Sequence, residues 1–175
     1  SVTLIPLAGK GSRFSKLGYK KPKPLIEVSG KPMVVQSANS LPYCENFIFV
    51  TLKEHLEKYS LKEVLNNNFK NLKIIPIENV TKGQAITCSI GLKTVDINSS
   101  LLIAASDNGM LIDENQYKKL IEDENNDAII FTFRHNKSSK NNPEMYGWVK
   151  TDFKNNATEV SVKSPISPNP YEDHA

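Results

Sequence analysis

Leu7-Ala-Gly-Lys-Gly-Ser-Arg-Phe14 leaves an unbroken apolar run that begins at Val2. A short run of this kind, ending in glycines, predicts a strand buried on both faces of a parallel sheet. Gly9 and Gly11 permit backbone angles that side chains forbid, so successive N–H groups can turn inward around a polyphosphate. Arg13 is one of only two arginines among 22 basic residues, and a guanidinium can hold two phosphate oxygens at once. Downstream, Lys21-Pro-Lys-Pro-Leu-Ile-Glu-Val28 places Lys23 between two prolines as a point charge, and Gly30-Lys-Pro-Met33 follows.

Other loops of this composition fit less well. In a dinucleotide-binding turn, Phe14 would stand where the third glycine of G-x-G-x-x-G allows close helix–strand packing. Gly18, Pro22 and Pro24 interrupt any helical pattern immediately after the loop, and G-x-x-x-x-G-K-[ST] is absent. A structural turn with incidental lysines is the plain alternative.

Outward from the loop, apolar runs recur at Asn46 to Thr51, Lys73 to Ile77, Leu101 to Ser106 and Ala128 to Phe133. Between them, Lys53 to Phe69 places Leu61, Leu65 and Phe69 at four-residue steps, and Gly83 to Val95 places Ala85, Cys88, Leu92 and Val95 on one helical side. Asp113 to Glu124 is a third helical stretch, and Lys31-Pro-Met33 opens a fourth with proline at a favoured first-turn position. This alternation predicts an α/β fold, a three-layer α/β/α sandwich on a mainly parallel sheet. The regularity breaks at Asn136 to Pro143, a polar loop, after which Tyr146 to Thr151 and Thr158 to Val162 predict a late hairpin. The tail from Lys163 holds three prolines in thirteen residues and fits neither helix nor central strand. Residues 1–175 are thus expected to form a single domain that lacks its C-terminal part.

With 175 residues, 39% hydrophobic and 23% charged, the chain has enough apolar material for an ordinary core, which excludes a disordered protein. No stretch approaches the roughly 18 apolar residues of a membrane span, and the N-terminal run is too short for a secretory signal. Two cysteines, Cys44 and Cys88, make neither a disulfide framework nor a zinc site, as expected for a soluble cytoplasmic protein. The net charge of +3 is uneven: residues 10 to 31 carry seven basic side chains against one acid, Glu27. Such a local field suits an anionic partner, although a solvated lysine-rich face has the same composition. Nucleic-acid binding through this segment is the weaker reading.

Four further sites have chemistry to offer. Asp107 directly follows the run Leu101 to Ser106, so its carboxylate would project from the carboxyl end of a strand, where open α/β sheets bind ligands. That position suits a Mg²⁺ ligand, since magnesium takes few protein carboxylates; a turn or helix-cap aspartate is the ordinary alternative. Gln84, near a helix start, can donate and accept hydrogen bonds and so read a pyrimidine edge, or be an unremarkable first-turn residue. Tyr146-Gly147 can contact a small substrate, and Lys163 can hold a phosphate, with a strand-start aromatic and a solvated lysine as the bland readings. His55, His135 and His174 lie in no ligand spacing.

Together, L-A-G-K-G-S-R at Leu7 to Arg13 and P-K-P-L at Pro22 to Leu25 resemble the signature of the nucleotidyltransferases that make nucleotide sugars and related activated metabolites. Lys82-Gly-Gln-Ala-Ile-Thr87 is similar to that family's nucleobase segment, Ile103-Ala-Ala-Ser-Asp107 to its strand-end aspartate, and Tyr146-Gly147 to its sugar-contacting pair. The four landmarks occur in the family's order. Val162-Lys-Ser-Pro165 matches the E-K-P segment only through its lysine and proline, Val162 replacing the glutamate.

The resemblance implies a Rossmann-like nucleotide-diphospho-sugar transferase fold and the joining of a nucleoside triphosphate to a phosphorylated small-molecule acceptor, with release of pyrophosphate. It implies catalytic roles for Arg13 and Lys23. Leu7, Ala8, Gly9, Lys10, Gly11, Ser12, Gly83 and Gln84 would bind the nucleotide. Asn108, Tyr146, Gly147 and Lys163 would meet the acceptor, and Asp107 would hold Mg²⁺, with a second aspartate lying past the end of this chain. CTP or UTP is favoured, with products serving surface-polysaccharide or headgroup synthesis. The oligomeric state stays open. A non-catalytic or glycosyltransferase-like nucleotide-sugar-binding protein of the same fold is the alternative, against which Arg13 and Lys23 argue.

Overall fold

The computed structural model describes the backbone of residues 1–175 and every side chain but that of Arg13. The chain divides into two compact units, Ser1–Glu114 and Asn115–Ala175.

The first unit is built on the strands β1 (Val2–Leu7), β4 (Asn46–Leu52), β5 (Asn71–Ile77) and β6 (Leu101–Ile103), all parallel, in the order β5-β4-β1-β6. Its helices are α1 (Ser12–Lys16), α2 (Met33–Ala38), α3 (Lys53–Lys58), α4 (Leu61–Asn68) and α5 (Gln84–Leu92). Alternation along the strands sends successive side chains to opposite faces and so gives the sheet its layers. Ile5, Leu7 and Phe49 meet Val34 and Val35 of α2 and Leu61 and Leu65 of α4 on one face. Leu4 and Ile48 meet Cys88 of α5 on the other. The α/β/α sandwich expected from the alternating runs is therefore present. Gly91 of α5 allows that helix to lie close to the sheet: a Cβ there would come within 3.0 Å of Val50 Cγ2 and closer still to Leu4 Cδ1.

From β1 the chain moves outward to β4 and β5, then crosses back to place β6 on the free side of β1. The carboxyl ends of β1 and β6 thus flank the point where strand order reverses, the crevice in which open α/β sheets bind ligands. A small antiparallel hairpin, β2 (Glu27–Val28) with β3 (Lys31–Pro32), turns through Ser29 and Gly30, both at positive φ as a tight two-residue hairpin requires.

The second unit holds most of α6 (Glu114–Glu122), α7 (Lys137–Asn141) and the antiparallel hairpin of β7 (Gly147–Thr151) and β8 (Ala157–Val162). Trp148 is buried there and donates from Nε1 to the Pro143 carbonyl at 3.0 Å. The tail runs along this hairpin, Val149 N–H donating to the His174 carbonyl at 2.9 Å.

Six local expectations are corrected. Asn136 to Pro143 is not loop throughout: Lys137–Asn141 is the helix α7, started by Asn136 Oδ1 accepting the Ser138 N–H at 2.8 Å. Strand β6 stops at Ile103, so Asp107 lies in the turn beyond it and does not directly follow the strand. Lys53 to Phe69 is two helices, because Tyr59 is extended (φ −133°, ψ 161°) and separates α3 from α4. A helix does follow the glycine loop: α1 forms and then stops in one turn, Gly18 N–H bonding to the Ser15 carbonyl and Tyr19 N–H to the Phe14 carbonyl. Gly18 at φ +87° makes this αL termination possible, and Tyr19 packs edge-on against Phe14 with centroids 5.7 Å apart. Pro32 precedes α2 as a strand residue at ψ 139° instead of opening its first turn. Ala128 to Phe133 forms no regular strand; Phe133 exchanges both backbone hydrogen bonds with Ala175, so the tail and not the parallel sheet satisfies it.

Candidate active site

The glycine loop after β1 and the turn after β6 face each other at the strand-order reversal, and one ion pair joins them. Lys23 Nζ bonds to Asp107 Oδ2 across 84 positions of sequence. Both side chains keep about a third of their surface exposed, 28% and 32%, so the pair sits at the crevice mouth within reach of a ligand.

Local structure explains how Lys23 arrives there. The segment Lys23–Leu25 is a single 3₁₀ turn preceded by Pro22, and its Pro24 and Leu25 are buried, Leu25 in the main core. Burial of Pro22 before it and of Pro24 and Leu25 after it anchors the backbone and leaves the partly exposed lysine facing out. Gly11 at φ +59° lies against it: a Cβ there would be 3.3 Å from Lys23 Cβ. Gly11 is therefore needed twice, for its left-handed angle and for the close approach of Lys23. Lys23 Nζ also stands 5.5 Å from the centre of the Phe14 ring.

Asp107 is held by a different device. Ser37 of α2 is buried, and its Oγ lies 2.9 Å from the Ala105 carbonyl and 2.8 Å from the Asn108 carbonyl. One turn later, Ser40 Oγ donates to the Ser37 carbonyl at 2.7 Å and accepts the Met110 N–H at 3.1 Å. Neither serine was distinguishable in the sequence, because nothing there shows that α2 packs beneath the turn after β6.

Of the expected nucleotide residues, Leu7 and Ala8 are buried at the end of β1, Gly9 and Lys10 are exposed in the loop, and Ser12 is exposed at the start of α1. Gly83 and Gln84 start α5 after β5, at the same carboxyl edge of the parallel sheet. Thr81 Oγ1 fixes this start, reaching the Gly83 carbonyl at 2.8 Å and Thr87 Oγ1 at 2.7 Å, and Gln84 is exposed. The Arg13 side chain lies outside the described residues. Tyr146, Gly147 and Lys163 come together in the second unit: Gly147 pairs with Val162, and Lys163 N–H donates to the Tyr146 carbonyl at 2.9 Å. Tyr146 donates its hydroxyl to Ser138 Oγ at 2.8 Å, and Lys163 adopts a left-handed φ of 62°.

Beside the glycine loop lies a cavity of about 320 Å³ lined by Lys10, Ser12, Ser15, Leu52, Glu54, His55 and Tyr59. His55, to which the sequence assigned no role, is buried in its wall with no hydrogen-bond partner at Nδ1. Burial holds its imidazole below the ordinary histidine range, partly opposed by the Glu54 carboxylate, so it is neutral at pH 7.

Asp107 lies in no group of three or more potential metal ligands among the described residues. A single partly exposed carboxylate nevertheless fits Mg²⁺, which binds proteins through one or two carboxylates and completes its octahedron with water and phosphate oxygens.

Residues 2–164 match the family model described as Nucleotidyl transferase. The chain belongs to that family. This nucleotidyl transferase is 24% identical over 160 residues to the bifunctional protein GlmU of Methanococcus aeolicus, a match that takes in 91% of this chain and 35% of that protein. The chain thus spans about a third of the length of the curated relatives it matches. In fold it is similar to a nucleoside-diphosphate-sugar pyrophosphorylase from Vibrio cholerae, with TM-score 0.70 at 22% identity over 98% of this chain and 72% of that one. It is also similar to the inositol-1-phosphate CTP transferase from T. maritima, with TM-score 0.71 at 16% identity over 98% of this chain and 67% of that one. No helix of the nucleotidyl transferase is long and apolar enough to cross a membrane among the described residues.

Proposed function

We propose that this chain carries a Mg²⁺-dependent, cytoplasmic activity that transfers a nucleoside monophosphate from a triphosphate, CTP or UTP, to a sugar 1-phosphate or another small phosphate monoester. Pyrophosphate is released, and the product feeds surface-polysaccharide or headgroup synthesis. The observation that carries the reading is the Lys23–Asp107 pair beside Gly11, which sets a cation, a carboxylate and open loop amides at the crevice of the sheet.

In the proposed reaction an acceptor phosphate oxygen attacks the α-phosphorus in line, the bond to the β-phosphate oxygen breaks, and pyrophosphate leaves. No side-chain nucleophile is needed, so the protein positions groups and neutralises charge. The loop amides of residues 9–12 and Arg13 receive the β- and γ-phosphates. Lys23 faces the negative charge that grows at the α-phosphate. Asp107 would hold Mg²⁺, which supplies charge neutralisation on the phosphates when bound. Gly83 and Gln84 are assigned to the base, and Asn108, Tyr146, Gly147 and Lys163 to the acceptor. The pyrimidine preference draws on the Gln84 amide and on the likeness in fold to the inositol-1-phosphate CTP transferase from T. maritima.

Calorimetric titration of ATP, GTP, CTP, UTP and dTTP, with and without Mg²⁺, tests this reading in the wild-type chain and in Lys23→Ala. Selective, Mg²⁺-enhanced binding of CTP or UTP that weakens in Lys23→Ala is the expected result. Binding of none of the five, or equal binding by the variant, overturns it.

A further inference from the structure

We propose that Ser37 is a positioning residue for Asp107, closing the turn 105–108 so that the carboxylate is presented to a divalent cation in one geometry. The inference rests on the reading of Asp107 as a metal ligand given above. Its observations are separate from the ones that suggested that reading.

The turn after β6 leaves the sheet at Ala104, whose N–H still donates to the Leu4 carbonyl at 3.0 Å. Among the described residues, no backbone–backbone hydrogen bond then closes residues 105–108. A turn that lacks its own i→i+3 backbone bond depends on bonds from elsewhere to hold its carbonyls in place. Ser37 supplies the missing closure from outside. Its Oγ is buried between the Ala105 and Asn108 carbonyls at 2.9 and 2.8 Å, with only 3% of the residue exposed. A hydroxyl has one hydrogen, so the two carbonyls share a single donor and both must point inward to reach it. That convergence holds the two ends of the turn together and leaves Ser106 and Asp107 at its outer side, where Asp107 meets Lys23.

The platform beneath is rigid. Val34, Val35 and Ala38 of α2 are core residues, so Ser37 cannot follow the turn if the turn moves. Ser40 extends the brace by accepting the Met110 N–H, which fixes the exit of the loop as Ser37 ties the two ends of the turn. Residues that orient a metal-binding carboxylate in this way characteristically change metal affinity by about 10- to 100-fold when lost.

The test compares Ser37→Thr, which keeps the hydroxyl, with Ser37→Val, which has nearly the same shape without it. Mn²⁺ binding to the full chain, read by loss of the free-ion EPR signal, is the primary measurement, with Asp107→Asn as the reference for a lost site. The expected result is a Kd for Mn²⁺ at least about tenfold weaker in Ser37→Val than in Ser37→Thr, the latter within about threefold of wild type. Ser37→Ala, which cannot overpack the site, gives the same comparison if Ser37→Val does not fold. Equal affinity in hydroxyl and non-hydroxyl variants overturns the proposal, as does wild-type binding that Asp107→Asn leaves intact or wild-type chain that binds no Mn²⁺. Pyrophosphate release is followed separately. A chain that shows the Ser37 effect on Mn²⁺ yet releases pyrophosphate from no triphosphate sustains the positioning role and overturns the transferase reading.

Discussion

Lys23 and Asp107 form an ion pair that links the connection after β1 to the turn after β6, two segments separated by 84 positions. Each is anchored through its neighbours: Lys23 by buried Pro24 and Leu25, Asp107 by the carbonyls that converge on Ser37. The pair is partly exposed, and exposed pairs contribute only about 0–1 kcal/mol to stability. Its place at the crevice mouth therefore points to ligand chemistry and not to folding.

From this follows a separation of activity from stability. Lys23→Ala is expected to lower kcat for pyrophosphate release by at least about 10²-fold, the scale for removing one preorganised electrostatic group. Its urea midpoint should stay close to wild type. Turnover near wild type would refute the role given to Lys23.

Gly91 makes the opposite prediction. A Cβ at this position meets Leu4 and Val50, both fully buried, so neither side chain has free space to retreat into. Gly91→Ala is expected to destabilise the fold by about 1–3 kcal/mol through overpacking, despite alanine's better helix propensity. Chemical denaturation measures this, and a stabilised variant would show that α5 does not rest as closely on the sheet.

The third prediction concerns pH. His55 has its folded-state pKa lowered, by burial first, so the unfolded chain takes up a proton that the native one refuses. Its contribution is fully present above the unfolded value near 6.5 and is lost as pH falls through the depressed folded value. His174 is lowered too, by burial and then by Arg134, and acts in the same direction. Stability should therefore decline below about pH 6.5, and His55→Gln should flatten the decline. An unchanged pH profile in that variant would contradict the burial of a neutral imidazole.

Much of this architecture is legible in one dimension because strands and helices leave short-range periodic traces. The apolar runs at Val2, Asn46 and Lys73 announce parallel strands, and LAGKGSR announces the glycine loop that follows the first of them. The failures have physical causes as well. Ala128 to Phe133 has strand composition, yet Phe133 spends its backbone bonds on Ala175, a partner more than forty residues away that no local pattern contains. Lys53 to Phe69 has one helical stripe, and its break at Tyr59 leaves that stripe intact in α4.

What the amino-acid sequence determined alone was the kind of groups on offer: glycines that free backbone amides, a cluster of cations around them, and a carboxylate just past an apolar run are properties of residue type and spacing. What only the tertiary structure decided was which of these groups meet. The reversal of strand order brings Asp107 to Lys23, and the packing of α2 under the turn after β6 brings Ser37 beneath Asp107. Both juxtapositions depend on long-range burial of apolar faces, and serine, lysine and aspartate carry no local trace of the partner that burial will give them.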